Sequence, residues 1–343
     1  MTLRGRMGGL TDGRVAPASP DRCEHERMST AHDTVDVVVI GGTGVDTTAY
    51  VPSLPLPYAD TYAVPPVIDR IGNTGSGVAL GCHALGLSVK LVDLIGDDPQ
   101  GRFIRDRFEG TGIDTAWGHA PQGTRRSVLL VGPDGRRTSL FDPRAAPGER
   151  LPVRLYLDAV RAARHVHVSI NDFSRHVYPD LQDRAGKLVS TDLHDWDGDD
   201  DHHRDFALSS DLVFLSATAL GTRRDEVMRG ILARGRARAV VCTDGAAGCR
   251  VLDEDGFCDV PAAPLPGPVA DTNGAGDAFV SGVLYGLLAG RSLRDAVPLG
   301  AVAGAHACTS AGTHEDPVDE ATLLRREREL PAQPGPGRAR AGN

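Results

Sequence analysis

The sequence predicts a three-layer α/β/α protein: a mainly parallel central sheet, helices on both faces, and a small β-sheet lid beside it. Three observations carry this. Val35 to Ile40, VDVVVI, is a nearly continuous β-branched run, as a strand buried on both faces requires. Strand-like and helix-like stretches then alternate along most of the chain, the pattern of parallel strands joined by crossover helices. Two stretches break that rhythm, and both read as short β-structure outside the main sheet.

In chain order, Gly41-Gly42 is a turn after the first strand. Further strands are expected at Val89 to Ile95, His165 to Ile170, Lys187 to Asp192, Asp211 to Leu215 and Ala237 to Cys242. Helices are expected at Ser76 to Leu85, Pro99 to Phe108, Leu155 to Ala163 and Thr222 to Arg234. The exceptional stretches are 47–67, rich in Pro and Tyr, and 124–142. In the latter, Ser127 to Val131 and Thr138 to Phe141 flank Gly132-Pro133-Asp134-Gly135 as a β-hairpin. Together they would form the lid. Residues 1–33 and the run from Pro331 to Asn343 lack periodicity and read as disordered tails, with Met28 an alternative start. Residues 34–330 form the expected domain.

Composition narrows the function. A net charge of -9 argues against nucleic acid, which needs a basic face. It leaves anionic ligands open, because backbone amides can bind phosphate inside an acidic protein. The six cysteines, at 23, 82, 242, 249, 258 and 308, form no C-x-x-C pair, so no zinc or redox motif is present. No apolar run approaches the roughly 18 residues of a membrane span. A cytoplasmic protein is expected.

The most informative segment is DTNGAGDAFVSGVLYGLLAG, Asp271 to Gly290. Phe279, Val280, Val283, Leu284, Leu287 and Leu288 give one apolar helix face, and Gly290 suits a left-handed cap. The loop Asn273-Gly274-Ala275-Gly276 therefore leads into a helix N-terminus, whose free N–H groups and dipole attract anions. An acid at Asp277 would repel a bound phosphate. It makes sense as a base that takes a proton from a nucleophilic hydroxyl. The spacing alone is met equally by a first-turn acid favoured by the dipole.

DTNGAGDAF resembles the C-terminal signature D-T-x-G-A-G-D-x-F of the ribokinase-like, PfkB-type carbohydrate kinases. Three further stretches resemble that family in the expected order: VVVIGGTGVDTTAYVPSLP; IGNTGSGVALGCHALGLSVKLVDLIGDDPQGRFIRDRFEGTGID; and Thr243-Asp244-Gly245-Ala246-Ala247-Gly248. The resemblance spans about 35–330. It implies the ribokinase-like fold and ATP-dependent phosphorylation of a hydroxyl on a small sugar or sugar-like substrate. Asp277 would be the general base, and the N–H groups of Gly274, Ala275 and Gly276 an anion hole. Asp46 would hold sugar hydroxyls, with Gly72, Asn73 and Gly75 in the substrate loop. Thr243, Gly245 and Gly248 would border the nucleotide, whose adenine would lie against Ala303 to Ala307. Mg²⁺ would bridge the phosphates, and a monovalent cation such as K⁺ would sit by Asp271 and the Asn273 carbonyl. A homodimer could form through the lid.

Two departures stand out. The substrate loop carries Asn73 where the family has a second glycine, and Gly77 where it has an asparagine. The family's N-x-x-E appears as Ser216-Ala217-Thr218-Ala219, without the groups that organise Mg²⁺. A nucleoside kinase of the same fold and a catalytically weak sugar or nucleotide sensor remain alternatives. Nicotinamide chemistry lacks its motif, since Thr47 replaces the third glycine after Gly42 and Gly44. The run Asp192 to His203 contains metal-capable residues but reads as a solvated acidic loop, within which Asp192 matches a strand-ending aspartate of the family. Arg144 reads as a solvated lid residue.

Overall fold

A computed structural model describes residues 34–183 and 186–331. The two expected tails, 1–33 and, apart from Pro331, 331–343, lie outside the described residues. From the N-terminal side the elements are β1 Val37–Ile40, β2 Gly44–Tyr50, β3 Ile68–Gly72, α1 Thr74–Ala84, β4 Val89–Ile95, α2 Pro99–Glu109, β5 Asp114–His119, β6 Arg126–Val131 and β7 Arg137–Asp142. They continue with α3 Leu157–Ala162, β8 His165–Val168, β9 Leu188–Asp192, α4 Asp201–Ser209, β10 Leu212–Ser216 and α5 Arg224–Arg234. The last are β11 Ala239–Thr243, β12 Cys249–Asp253, β13 Gly256–Val260, α6 Ala275–Leu288, α7 Leu293–Ala307 and α8 Glu320–Arg328.

The main sheet has nine strands in the order β13-β12-β11-β10-β9-β8-β1-β4-β5. From β5 to β11 every pairing is parallel, and β12 and β13 fold back as an antiparallel edge hairpin. Alternation along β1 explains the layers. Val38 and Ile40 join a core with Val166, Val213, Phe206 and Met228. Val37 and Val39 join a second core with Val78, Ile104, Val280 and Leu284. All four β1 residues are 0% exposed, and each such side chain contributes about 1.5–3 kcal/mol by leaving water.

The lid is a separate four-stranded sheet in the order β3-β2-β6-β7. It differs from the expected 47–67 and 124–142. Its first strand begins at Gly44, its second is 68–72, and the Pro-rich stretch between them is loop. Asp46 therefore sits inside a lid strand and not in the turn after β1, paired across to Arg70 and Ser127.

The acidic run differs in part from the expected solvated loop. From Asp201 it forms α4, capped by Asp200, whose carboxylate accepts the His203 N–H at 3.3 Å. Phe206 and Ala207 of α4 are fully buried. Helix α6 matches expectation and ends in a Schellman motif. Gly290 adopts φ 85°, its N–H bonds Leu287 O at 3.0 Å, and the Arg291 N–H reaches back to Gly286 O at 3.1 Å.

Candidate active site

The start of α6 is set by Gly274, which adopts φ 80° as the residue before the helix. A side chain there would be doubly excluded, because a Cβ would stand 2.0 Å from Thr313 O. Asp271 accepts the Asn273 N–H at 2.8 Å and pins the preceding turn. Of the first-turn N–H groups, that of Ala275 makes a long 3.4 Å turn bond to Thr272 O, the others lack a partner within the helix, and Asp277 stands among them.

Asp277 is 7% exposed and accepts no hydrogen bond from a cationic side chain within reach. Burial first, then the neighbouring Asp192 charge, push its carboxyl well above the ordinary carboxylate range. Asp46 adds to this, and Arg137 on lid strand β7 partly opposes it. A carboxylate so placed holds a proton strongly, the property a general base needs.

Asp46 reaches the same site from the lid. It is 5% exposed, and burial raises its carboxyl while hydrogen bonds from Ser127, Asn273 and Thr313 and the charge of Arg137 lower it. Gly72 makes room for it, since a Cβ there would lie 2.1 Å from Asp46 Cγ. Gly75 acts likewise toward β1, where a Cβ would stand 1.8 Å from Gly41 O. The substrate-loop glycines thus let strand, lid and α1 approach each other.

Asn73 adopts φ 66°, left-handed backbone in which glycine is easiest and asparagine tolerated. That is how it replaces the expected glycine. The missing side chain at Gly77 also has a physical reason. A Cβ there would stand 2.3 Å from His314 Cε1 and 2.8 Å from Asp277 Oδ2. The His314 ring fills that space, with Nε2 3.7 Å from Asp277 Oδ2.

The nucleotide-side residues lie on other elements. Thr243 ends β11, and its hydroxyl donates to Leu215 O at 3.4 Å. Gly245 is exposed at φ 50° and Gly248 turns the chain at φ 92°, where a Cβ would meet Val260 O at 2.2 Å. Ala303 is 1% exposed and packs with Leu85, Tyr285, Val318 and Leu323, so it offers no surface to a base. Ala307, half-buried at the end of α7, does. The Ser216 hydroxyl lies 2.8 Å from Oγ1 of the exposed Thr218. Among the described residues no three His, Cys, Asp or Glu side chains converge to hold a metal ion.

Arg137 and His314 escaped the sequence reading. Arg137 could have been suspected from its alternation in the hairpin strand, which puts it on the Asp46 face. No local pattern marks His314, which meets Gly77 and Asp277 only in three dimensions.

Comparison with known proteins adds three findings. The model of the pfkB family carbohydrate kinases matches residues 35–321. The acarbose 7(IV)-phosphotransferase of Actinoplanes sp. is 50% identical over 293 residues, covering 84% of this chain and 97% of the relative. The structure of microbiome-derived acarbose kinase Mak1 superposes with a TM-score of 0.81 at 44% identity, covering 86% of this chain and 99% of that one. Arabidopsis thaliana ribokinase, solved with ribose and ATP, shares the fold at a TM-score of 0.72 and 19% identity, covering 86% and 99%.

Proposed function

The chain belongs to the pfkB family of carbohydrate kinases, and from that premise we propose that its acceptor is an acarbose-like saccharide whose hydroxyl Asp277 deprotonates. It is an ATP-dependent sugar phosphotransferase with the ribokinase-like fold. The observation that carries the substrate is the 50% and 44% identity to two acarbose-phosphorylating proteins over nearly their full lengths.

The buried carboxylates support this division of labour. Asp46 still has lone pairs beyond its three side-chain donors, and these suit the hydroxyls of a saccharide. Asp277 takes the acceptor proton as the oxygen attacks the γ-phosphorus. The N–H groups of Gly274, Ala275 and Gly276 stabilise charge on the transferring group. Thr243, Gly245, Gly248 and Ala307 border the nucleotide. A divalent ion, Mg²⁺ in this reading, would supply charge neutralisation at the phosphates when bound. A K⁺ beside Asp271 and the Asn273 carbonyl would steady the anion hole, and KCl dependence of kcat tests it. ATP use fits a cytoplasmic location. The cross-strand pair Val128 and Leu140, 40% and 59% exposed on the outer lid face, supports a lid-to-lid homodimer.

The test is ATP consumption with acarbose, fructose, ribose and nucleosides, with product mapped by mass spectrometry. Turnover of acarbose alone or best is expected; turnover confined to nucleosides overturns the reading. Ser216, whose hydroxyl is engaged with Thr218, and the Ala219 side chain favour one further reading, a weakly catalytic sensor. Binding of acarbose without phosphorylation of any acceptor would support it.

A further inference from the structure

We propose that His314 is the positioning residue of Asp277: its bare Nε2 is the acceptor held ready for the carboxyl once that group has taken the proton of the acceptor hydroxyl at Oδ1. The proposal rests on Asp277 being the base, as read above.

The geometry is specific. The His314 side chain is 5% exposed and its Nε2, 3.7 Å from Asp277 Oδ2, has no hydrogen-bond partner. A buried polar atom left unpaired is costly, so its retention needs a reason. Two glycines admit the ring: Gly77, where a Cβ would stand 2.3 Å from Cε1, and Gly274, where it would stand 3.0 Å from Nδ1. Both belong to the elements that build the site. Burial lowers the imidazole to about 4, opposed by its bond to the Asn73 carbonyl, so the ring is neutral at pH 7. A neutral ring bonded to that carbonyl through Nδ1–H leaves the Nε2 lone pair toward Asp277. The pair is thus no salt bridge but an acceptor waiting for an acid proton.

During transfer the acceptor O–H proton passes to Asp277 while the acceptor oxygen bonds the γ-phosphorus. The bond from that phosphorus to the β,γ-bridging oxygen breaks, and ADP leaves. The carboxyl, protonated at Oδ1, then turns over about Cβ–Cγ and donates that O–H to Nε2, which lies 3.7 Å from the position Oδ2 occupies before transfer. The other charged groups acting on Asp277 are Asp192 from β9, Asp46 from β2 and Arg137 from β7. None of these is an uncharged acceptor.

The experiment compares the full-length wild type with H314L, H314Q and D277N, using acarbose and ATP from pH 5.5 to 9. Leucine fills the space without an acceptor, and glutamine returns one near the Nε2 position. H314L should lose about 30–100-fold in kcat with little change in either KM, and H314Q should recover most of it. The acid limb of kcat/KM should move to lower pH in H314L, because the protonated carboxyl has lost its partner. The ¹⁵N signal of His314 Nε2 should shift in D277N, a readout independent of the acceptor used. Unchanged kcat in H314L, failure of H314Q to rescue, or an unmoved imidazole signal overturns the proposal. An active D277N enzyme overturns the base assignment itself, a different failure.

Discussion

Two carboxylates of this protein are almost equally removed from water yet differ in everything else. Asp93, at the joint between β4 and the lid, is 0% exposed, and Asp277, at the head of α6, is 7% exposed. Asp93 accepts the Thr43 and Leu94 N–H groups, each at 2.6 Å, and pairs with Arg125 at 2.5 Å. Arg125 in turn donates to Leu94 O and lies 5.3 Å over the Phe173 ring. Asp277 has acids and the unpaired Nε2 of an imidazole for neighbours. Burial alone therefore does not mark a functional acid. Its partners do: a structural carboxylate is saturated with donors, whereas the proposed base is left with its lone pairs free for a proton.

The largest expected effect probes the unsaturated member. Asp277→Asn should lower kcat by about 10³-fold or more, with the KM for ATP little changed. Steady-state kinetics check it, and an active variant would erase the functional half of the contrast.

Arg125→Met tests the saturated member. It leaves a buried carboxylate unpaired and should cost about 3–5 kcal/mol in urea denaturation. The double variant with Asp93→Asn should recover part of that loss, because the uncompensated charge is gone. A cost below about 1 kcal/mol would show the pair to be dispensable.

Asp46 lies between the two types, buried and bonded by Ser127, Asn273 and Thr313 but with acceptor capacity left. Asp46→Asn should reduce kcat/KM for the saccharide roughly 10–100-fold, mostly through KM, the loss of charged hydrogen bonds. Equal loss with every acceptor, or loss confined to kcat, would assign Asp46 a role other than holding the sugar.

These contrasts explain what the sequence disclosed. Strand β1 and helix α6 were legible because their signals are local: a β-branched run, and a glycine loop feeding an amphipathic helix. Helix α4 was hidden because its N-cap, Asp200, sits in a run of acids that looks solvated. The edge hairpin β12 and β13 was not recognised, since its strands are short and carry polar residues such as Arg250 and Asp259, which pair with each other at 2.6 Å. Asp93–Arg125 and His314–Gly77–Asp277 depend on residues far apart in the chain, and no single-sequence periodicity reports them. The departures at Asn73 and Gly77 became intelligible only as backbone conformation and as space taken by another side chain.

The smallest effect concerns stability and reads the Asp277 environment without any substrate. A carboxyl raised in the folded state keeps a proton that the unfolded chain gives up near 3.8. Folding stability therefore falls as pH rises from that value through the raised native one, and is flat beyond it. Asparagine at 277 carries no such proton, so Asp277→Asn should be the more stable protein at neutral pH, by about 1 kcal/mol. The advantage should shrink as pH falls, because the wild-type acid is then protonated in both states. His165 and His167, lowered to about 3, and His314, lowered to about 4, impose the opposite trend: their stability is full above 6.5 and lost as pH falls. His165 and His167 are not among the groups acting on Asp277 and cancel in the difference between the melting temperatures, whereas His314 faces residue 277 and is removed by making the same comparison in the H314L background. Thermal unfolding from pH 5 to 8 thus isolates Asp277. A difference that is constant across that range, or that favours the wild type at pH 8, would mean Asp277 is as well satisfied as Asp93.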